Sequence, residues 1–118
     1  MRIAVQERNA ADLYLSRELR AATLVRARNL ASAFEALKSG NAEAFAANRQ
    51  ELASVMAANP GYRAVEGRFT TIPHAVATPA GRRAAAAYLA SFVERAKAGG
   101  MVQRSIDAAG TKGVVVAP

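Results

Sequence analysis

Two asparagines stand where short apolar runs give way to helical patterns, and their turns are the places in this chain best able to do chemistry. In Arg2–Leu15, RIAVQERNAADLYL, the run Ile3-Ala4-Val5 has no polar face. That is the pattern of a parallel strand covered on both sides. Gln6-Glu7-Arg8 is a polar turn, and Asn9 takes the N-cap position, where its side-chain oxygen can accept a backbone N–H two or three residues on. Asp12 falls in the first helical turn, where a negative charge suits the helix dipole, and Leu13, Leu15 and Leu19 are expected to form the apolar stripe. A strand feeding straight into a helix leaves unpaired N–H groups over the carboxyl end of its sheet, a place for a carboxylate or another anion. The same residues also make an ordinary capped turn with nothing bound, and the local sequence leaves both readings open. The second turn is at Asn48, with Arg49 beside it and Glu51 three positions on, as in a capping box.

Other chemistry finds little material. His74 is the single histidine; it has no cysteine or clustered carboxylate to make a metal site with, and no serine elbow to activate. A structural or hinge role is expected for it. The glycines form neither GxGxxG nor a P-loop, and Asp12 and Glu51 read as dipole partners rather than a catalytic pair. The expectation is a protein that is not an enzyme and uses no cofactor. The net charge of +7 raises nucleic acid as a partner. The arginines, however, are spread from Arg2 to Arg104, with close pairs only at Arg26/Arg28 and Arg82/Arg83, and no aromatics interleave with them. No nucleic-acid partner is expected. No apolar run approaches the roughly 20 residues that span a bilayer, and residues 1–20 carry charge throughout, unlike a signal peptide.

The elements that must position the two turns follow in order. A first helix ends near Arg20-Ala21, Thr23–Ala27 is a second short strand, and Asn29 caps a helix over Leu30–Ser39, stopped at Gly40. Glu43–Ala47 is a third strand, and Asn48 caps a helix to about Ala58. Three strand–helix units joined by short turns predict an α/β fold: a mostly parallel sheet in a three-layer α-β-α arrangement. Right-handed crossovers with a switch of direction place the first strand between the other two, with the Asn9 and Asn48 turns side by side. Beyond Asn59-Pro60-Gly61 the pattern changes. Tyr62–Val65, Arg68–Ile72 and His74–Thr78 read as short strands, Arg82–Ala98 as a long helix with Ala85, Leu89, Phe92, Val93 and Ala96 on one face, and Met101–Ala109 as a last helix. The tail after Gly110 carries a VVV that could pair as an edge strand.

Three stretches in this order, RIAVQERNAADLYL, AFEALKSGNAEAFAANRQEL and IPHAVATPAGRRAAAAYLASFVERAKAGGMVQRSIDAAG, resemble the second half of a bacterial periplasmic solute-binding protein. The family is the extracellular one that delivers amino acids and similar polar solutes to ABC transporters. The resemblance implies a periplasmic location, a small polar or anionic solute held in a cleft between two lobes, and a membrane ABC permease as partner of the full-length protein. It assigns residues 1–70 to a ligand-binding second lobe (βαβαβα). Residues 71–118 become a return strand and C-terminal helices that belong to the first lobe, the greater part of which is expected to be missing.

The implied ligand contacts are Arg8, Asn9, Ala10, Ala11 and Asp12 at the first turn and Asn48 and Arg49 at the second. Where the family commonly has glycine followed by serine or threonine this chain has Arg8-Asn9, and where amino-acid binders place an aspartate it has Asn48. Both departures count against a plain α-amino acid, because arginine adds bulk and an amide cannot offset an ammonium as a carboxylate does. They would suit an anionic or neutral solute, or a site that has lost its ligand, and binding by this chain is expected to be impaired. Two other classes fit the same fold: the effector domain of a transcription regulator, and a stand-alone α/β interaction module. A helix-turn-helix pair upstream of Met1 would favour the regulator. The apolar faces of residues 71–118 predict a homodimer or higher oligomer built through that segment.

Overall fold

Wherever a short apolar run meets an asparagine, a strand hands over to a helix. In the computed structural model, which describes residues 1–118, strand β1 (Arg2–Gln6) leads to helix α1 (Ala10–Glu18), β2 (Thr23–Ala27) to α2 (Leu30–Lys38), and β3 (Ala44–Ala46) to α3 (Arg49–Ala58). Asn9 accepts the Asp12 N–H at 2.9 Å, Asn29 the Ser32 N–H at 2.8 Å, and Asn48 the Glu51 N–H at 2.9 Å. At α2 and α3 the third helical residue bonds back to the cap's own N–H, completing a capping box. Each asparagine thereby satisfies a donor that no carbonyl of its helix can reach.

The three strands form one parallel sheet in the order β2-β1-β3, the order expected from the crossovers. Ala4 of the central strand is in register with Val25 on one side and Phe45 on the other. Ala4 and Val5 are wholly buried, Ile3 nearly so. Ile3 and Val5 cluster with Ala11 and Leu15 of α1, and Tyr14, Leu19 and Leu24 close around them. The period-two alternation sends Ala4 the other way. Phe45, its register partner, meets Phe34 of α2 with ring centroids 5.8 Å apart. At the amino end, Glu43 fastens β3 to β1. Its carboxylate accepts from the backbone N–H and guanidinium of Arg2, and its own N–H donates to the Arg2 carbonyl at 2.9 Å. The Arg2 N–H holds that carboxyl below its ordinary range.

The stripe expected on α1 divides. Leu13 is 54% exposed whereas Leu15 is 7% exposed. Residues two apart on an α-helix point about 200° apart, so the two leucines cannot share a face. Ala11 and Leu15, four apart, are the pair that faces the sheet.

The chain divides into two compact units, Met1–Thr70 and Thr71–Pro118. The expected strands at Tyr62–Val65 and Arg68–Ile72 do not form. Aromatic contacts hold the chain there instead: Tyr62 meets Phe34 edge-on at 5.1 Å, and Phe69 lies 5.8 Å from Tyr14. The guanidinium of Arg49 donates to the Gly67 carbonyl between them. His74–Thr78 is no strand either, and neither is the VVV tail. A strand needs a partner edge, and the second unit contains no strand at all. Pro73 and Pro79, which lack an N–H, bracket HAVAT as well. The second unit consists of α4 (Arg83–Ala98) and α5 (Met101–Ala109) with irregular chain on either side. On α4, Ala96 is buried and Ala85, Leu89 and Val93 half-buried, but Phe92, expected among them, is exposed.

Leu15→Ala should cost about 3 kcal/mol of unfolding free energy, whereas Leu13→Ala should stay within about 0.5 kcal/mol of the parent. Urea unfolding followed by far-UV circular dichroism separates the two; equal losses would contradict the packing of α1.

Candidate functional site

Parallel strands in one sheet bring all three strand-to-helix turns to its carboxyl edge. The turn between β1 and α1 is the most constrained. Arg8 sits at φ 62°, the one non-glycine residue with positive φ. An L-residue pays roughly 1–2 kcal/mol to adopt that conformation, and glycine adopts it freely. The reversal aims the Arg8 N–H at Asp12, whose Oδ2 accepts it at 2.8 Å.

Asp12 is the one buried charged residue in the chain, at 6% exposure. Its Oδ1 accepts from Ser16 Oγ at 3.1 Å and from Arg26 Nε at 2.9 Å, and Arg26 Nη2 donates to Ser16 Oγ at 2.8 Å. Burial pushes the Asp12 carboxyl upward. The Arg8 N–H, the Ser16 hydroxyl and the Arg26 guanidinium together outweigh burial and leave it below the ordinary value of 3.8. The turn is thus arranged around a carboxylate, and the carboxylate is the chain's own.

The other expected contacts fall into place around this one or apart from it. Asn9 spends its side-chain oxygen on the cap of α1. Ala10 and Ala11 open α1, where backbone N–H groups have no helical carbonyl to reach; the Ala11 side chain itself belongs to the core. Asn48 accepts from Glu51 through its side chain, and its own N–H donates to Glu51 Oε2 at 3.1 Å. Arg49 is turned to the Gly67 carbonyl. Arg8, Asn9 and Asp12 therefore make one cluster and Asn48 with Arg49 another, each closed by its own hydrogen bonds.

Sequence reasoning missed Ser16 and Arg26, and with them the third turn. A shallow, open depression of about 420 Å³ lies there, lined by Arg26, Ala27, Arg28, Asn29 and Ser32. The available signal was an arginine near the end of the otherwise apolar strand TLVRA. Once β2 is paired with β1, that arginine falls in register with Val5 and can reach Asp12. Guanidinium groups and helix N-terminal amides at one sheet edge can hold a small anion. His74, the single histidine, is exposed and belongs to the second unit. No three His, Asp or Glu side chains gather closely enough to hold a metal ion, and no helix is long and apolar enough to cross a membrane.

No protein-family model matches the chain, and neither a curated protein nor a solved structure does so.

Two substitutions test the turn. Arg8→Gly should raise unfolding free energy by roughly 1 kcal/mol by relieving the positive φ. A loss instead would show that the arginine side chain supplies a contact worth more than the strain. Asp12→Asn should lower stability by roughly 2 kcal/mol at neutral pH. Because the folded-state pKa of Asp12 is depressed, its stabilisation is complete above 3.8 and is lost as pH falls through the lower folded value. The gap between parent and Asp12→Asn should accordingly close in acid, and a gap constant down to pH 2 would refute the assignment.

Proposed function

We propose that this chain is a solute-binding lobe with its return segment, of the kind found in the extracellular proteins that deliver amino acids and other polar solutes to ABC transporters. Its role is binding rather than catalysis. The observation that carries the reading is the left-handed Arg8, which puts a glycine-type backbone at the position where those proteins commonly have glycine, directly before the asparagine cap. The resulting turn presents an N–H to a carboxylate, here that of Asp12. The three-layer α-β-α arrangement belongs to the same proposal. It is supported by the packing of Ile3 and Val5 with α1 and of Phe45 with Phe34 of α2.

On this reading residues 1–70 carry one wall of an interlobe cleft, residues 71–118 belong to the other lobe, and the full-length protein works in the periplasm with a membrane permease. The solute is small and polar or anionic. It meets the N–H groups of Asn9, Ala10 and Ala11, with Asn48 and Arg49 near by. Binding by this wall alone is weak for two reasons. Asp12 already occupies the Arg8 N–H and one edge of Arg26, and a single wall cannot bury most of a solute's surface.

Titration of the isotope-labelled chain with acetate, glycine and glutamate, followed by amide chemical shifts, tests this. The expected result is millimolar binding of the carboxylates with the largest shifts at residues 9–11 and 48–49. Micromolar binding of glycine would overturn the reading of Arg8 and Asn48 as departures that impair amino-acid binding. Shifts confined to other residues would overturn the site.

A further inference from the structure

Asp12 is held the way a bound carboxylate is held. Its Oδ2 accepts from the Arg8 N–H at 2.8 Å, and its Oδ1 accepts from Ser16 Oγ at 3.1 Å and Arg26 Nε at 2.9 Å. Arg26 Nη2 donates to Ser16 Oγ at 2.8 Å, so the hydroxyl accepts from the arginine and donates to the carboxylate. Three donors from a turn, from α1 and from β2 thus converge on two oxygens. A backbone N–H, a hydroxyl and a guanidinium gathered in this way are the donors by which proteins bind carboxylates. Burial pushes the Asp12 carboxyl up, but these donors bring it below 3.8, so the group they hold at neutral pH is an anion.

The helix does not need this carboxylate. The cap of α1 is made by Asn9, which accepts the Asp12 N–H. At the same helical position Ser32 of α2 and Glu51 of α3 bond back to the N–H of their own cap, whereas Asp12 reaches past Asn9 to Arg8. Ser16 is fixed by α1, and Arg26 by the pairing of β2 with β1, so two of the three donors are positioned by the fold rather than by Asp12. The Asp12 side chain is 8% exposed and that of Arg26 48%, which makes the guanidinium the wall between the carboxylate and solvent. Ala11 and Leu15 pack on Ile3 and Val5, so the backbone of Asp12 cannot withdraw. A group tethered this closely acts at an effective concentration far above millimolar. A free monocarboxylate does not displace it.

We propose that the Arg8 N–H, Ser16 and Arg26 form a receptor for a small carboxylate, and that the Asp12 side chain is a tethered occupant that keeps it closed. As a control over solute the inference rests on the solute-binding reading. The donors of the receptor are nevertheless distinct from the groups at residues 9–11 and 48–49.

Asp12→Ala deletes the occupant and leaves its donors, and formate restores the deleted group atom for atom. In the isotope-labelled Asp12→Ala chain, formate should shift the Arg8 amide and the Arg26 Nε–H saturably, and sodium chloride at equal ionic strength should not. Once formate exceeds its dissociation constant, each tenfold rise should raise the folding equilibrium constant about tenfold. In the parent and in Asp12→Asn, whose side chains still fill the receptor, those two resonances should not move. Arg26→Gln in the Asp12→Ala background should abolish the gain. The proposal is overturned if formate leaves the Arg8 amide of Asp12→Ala unmoved, if it moves that amide equally in the parent, or if the gain survives Arg26→Gln. Should Asp12→Ala be unfolded in chloride, formate must restore the far-UV circular dichroism of the parent, and a chain that stays unfolded overturns the proposal as well. Carboxylate shifts at residues 9–11 and 48–49 of the parent test the solute-binding reading, so either can fail without the other.

Discussion

With β2 bonded along one side of β1 and β3 along the other, the central strand is paired at both edges over Ile3–Val5. Both of its faces can then be stripped of water. Ala4 and Val5 are buried completely on that account. The constraint reaches well beyond five residues. A strand buried on both faces admits only apolar side chains, and the polar turn after it must therefore absorb all the local charge. Because the neighbours are parallel, they deliver their own turns to the same edge. The concentration of Arg8, Asp12, Arg26, Asn29 and Asn48 at one end of the sheet is a consequence of that pairing and needs no further cause.

At that edge one carboxylate organises the rest. Asp12 is buried, and an unpaired charge there would cost several kcal/mol. It is instead met by a backbone N–H, a hydroxyl and a guanidinium. The arrangement explains why Arg8 tolerates a left-handed backbone: the strain of about 1–2 kcal/mol is offset by a charge-assisted bond that only this conformation aims correctly. It also sets the chemistry. The Arg8 N–H and the Arg26 Nε–H are already engaged, so an external anion would have to compete with Asp12 for those two donors.

The strand–helix alternation was legible in the residues because its signals are local. Asn9, Asn29 and Asn48 each precede a helix that begins at the next position, and each cap bond spans three residues. The strand order was legible too, since it follows from handedness rather than from any side chain. What failed was whatever depended on a distant partner. Tyr62–Val65, Arg68–Ile72 and His74–Thr78 have strand-like composition, but composition cannot supply an edge to pair with, and rings on α1 and α2 hold Phe69 and Tyr62 instead. Arg26 and Asp12 are far apart in the chain and meet only through the pairing of β1 with β2. The grouping of Leu13 with Leu15 failed for a simpler reason, a spacing of two that no helix face can hold.

The two units solve burial in opposite ways. In Met1–Thr70 alanine is an asset: Ala4, Ala11, Ala33, Ala42 and Ala47 are all buried, and their small side chains let helices lie close on a narrow sheet whose larger anchors are few. In α4 the same residue contributes little. A helix as rich in alanine as RAAAAYLASFVERAKA is stable in its own backbone, yet alanine removes too little apolar surface to drive packing. At about 25 cal/mol per Å² the favourable term must come from larger groups, and on α4 the largest, Tyr88 and Phe92, stack on each other and stay 64% and 42% exposed. Helix propensity therefore forms α4, and Leu89, Val93 and Ala96 supply what apolar burial it has.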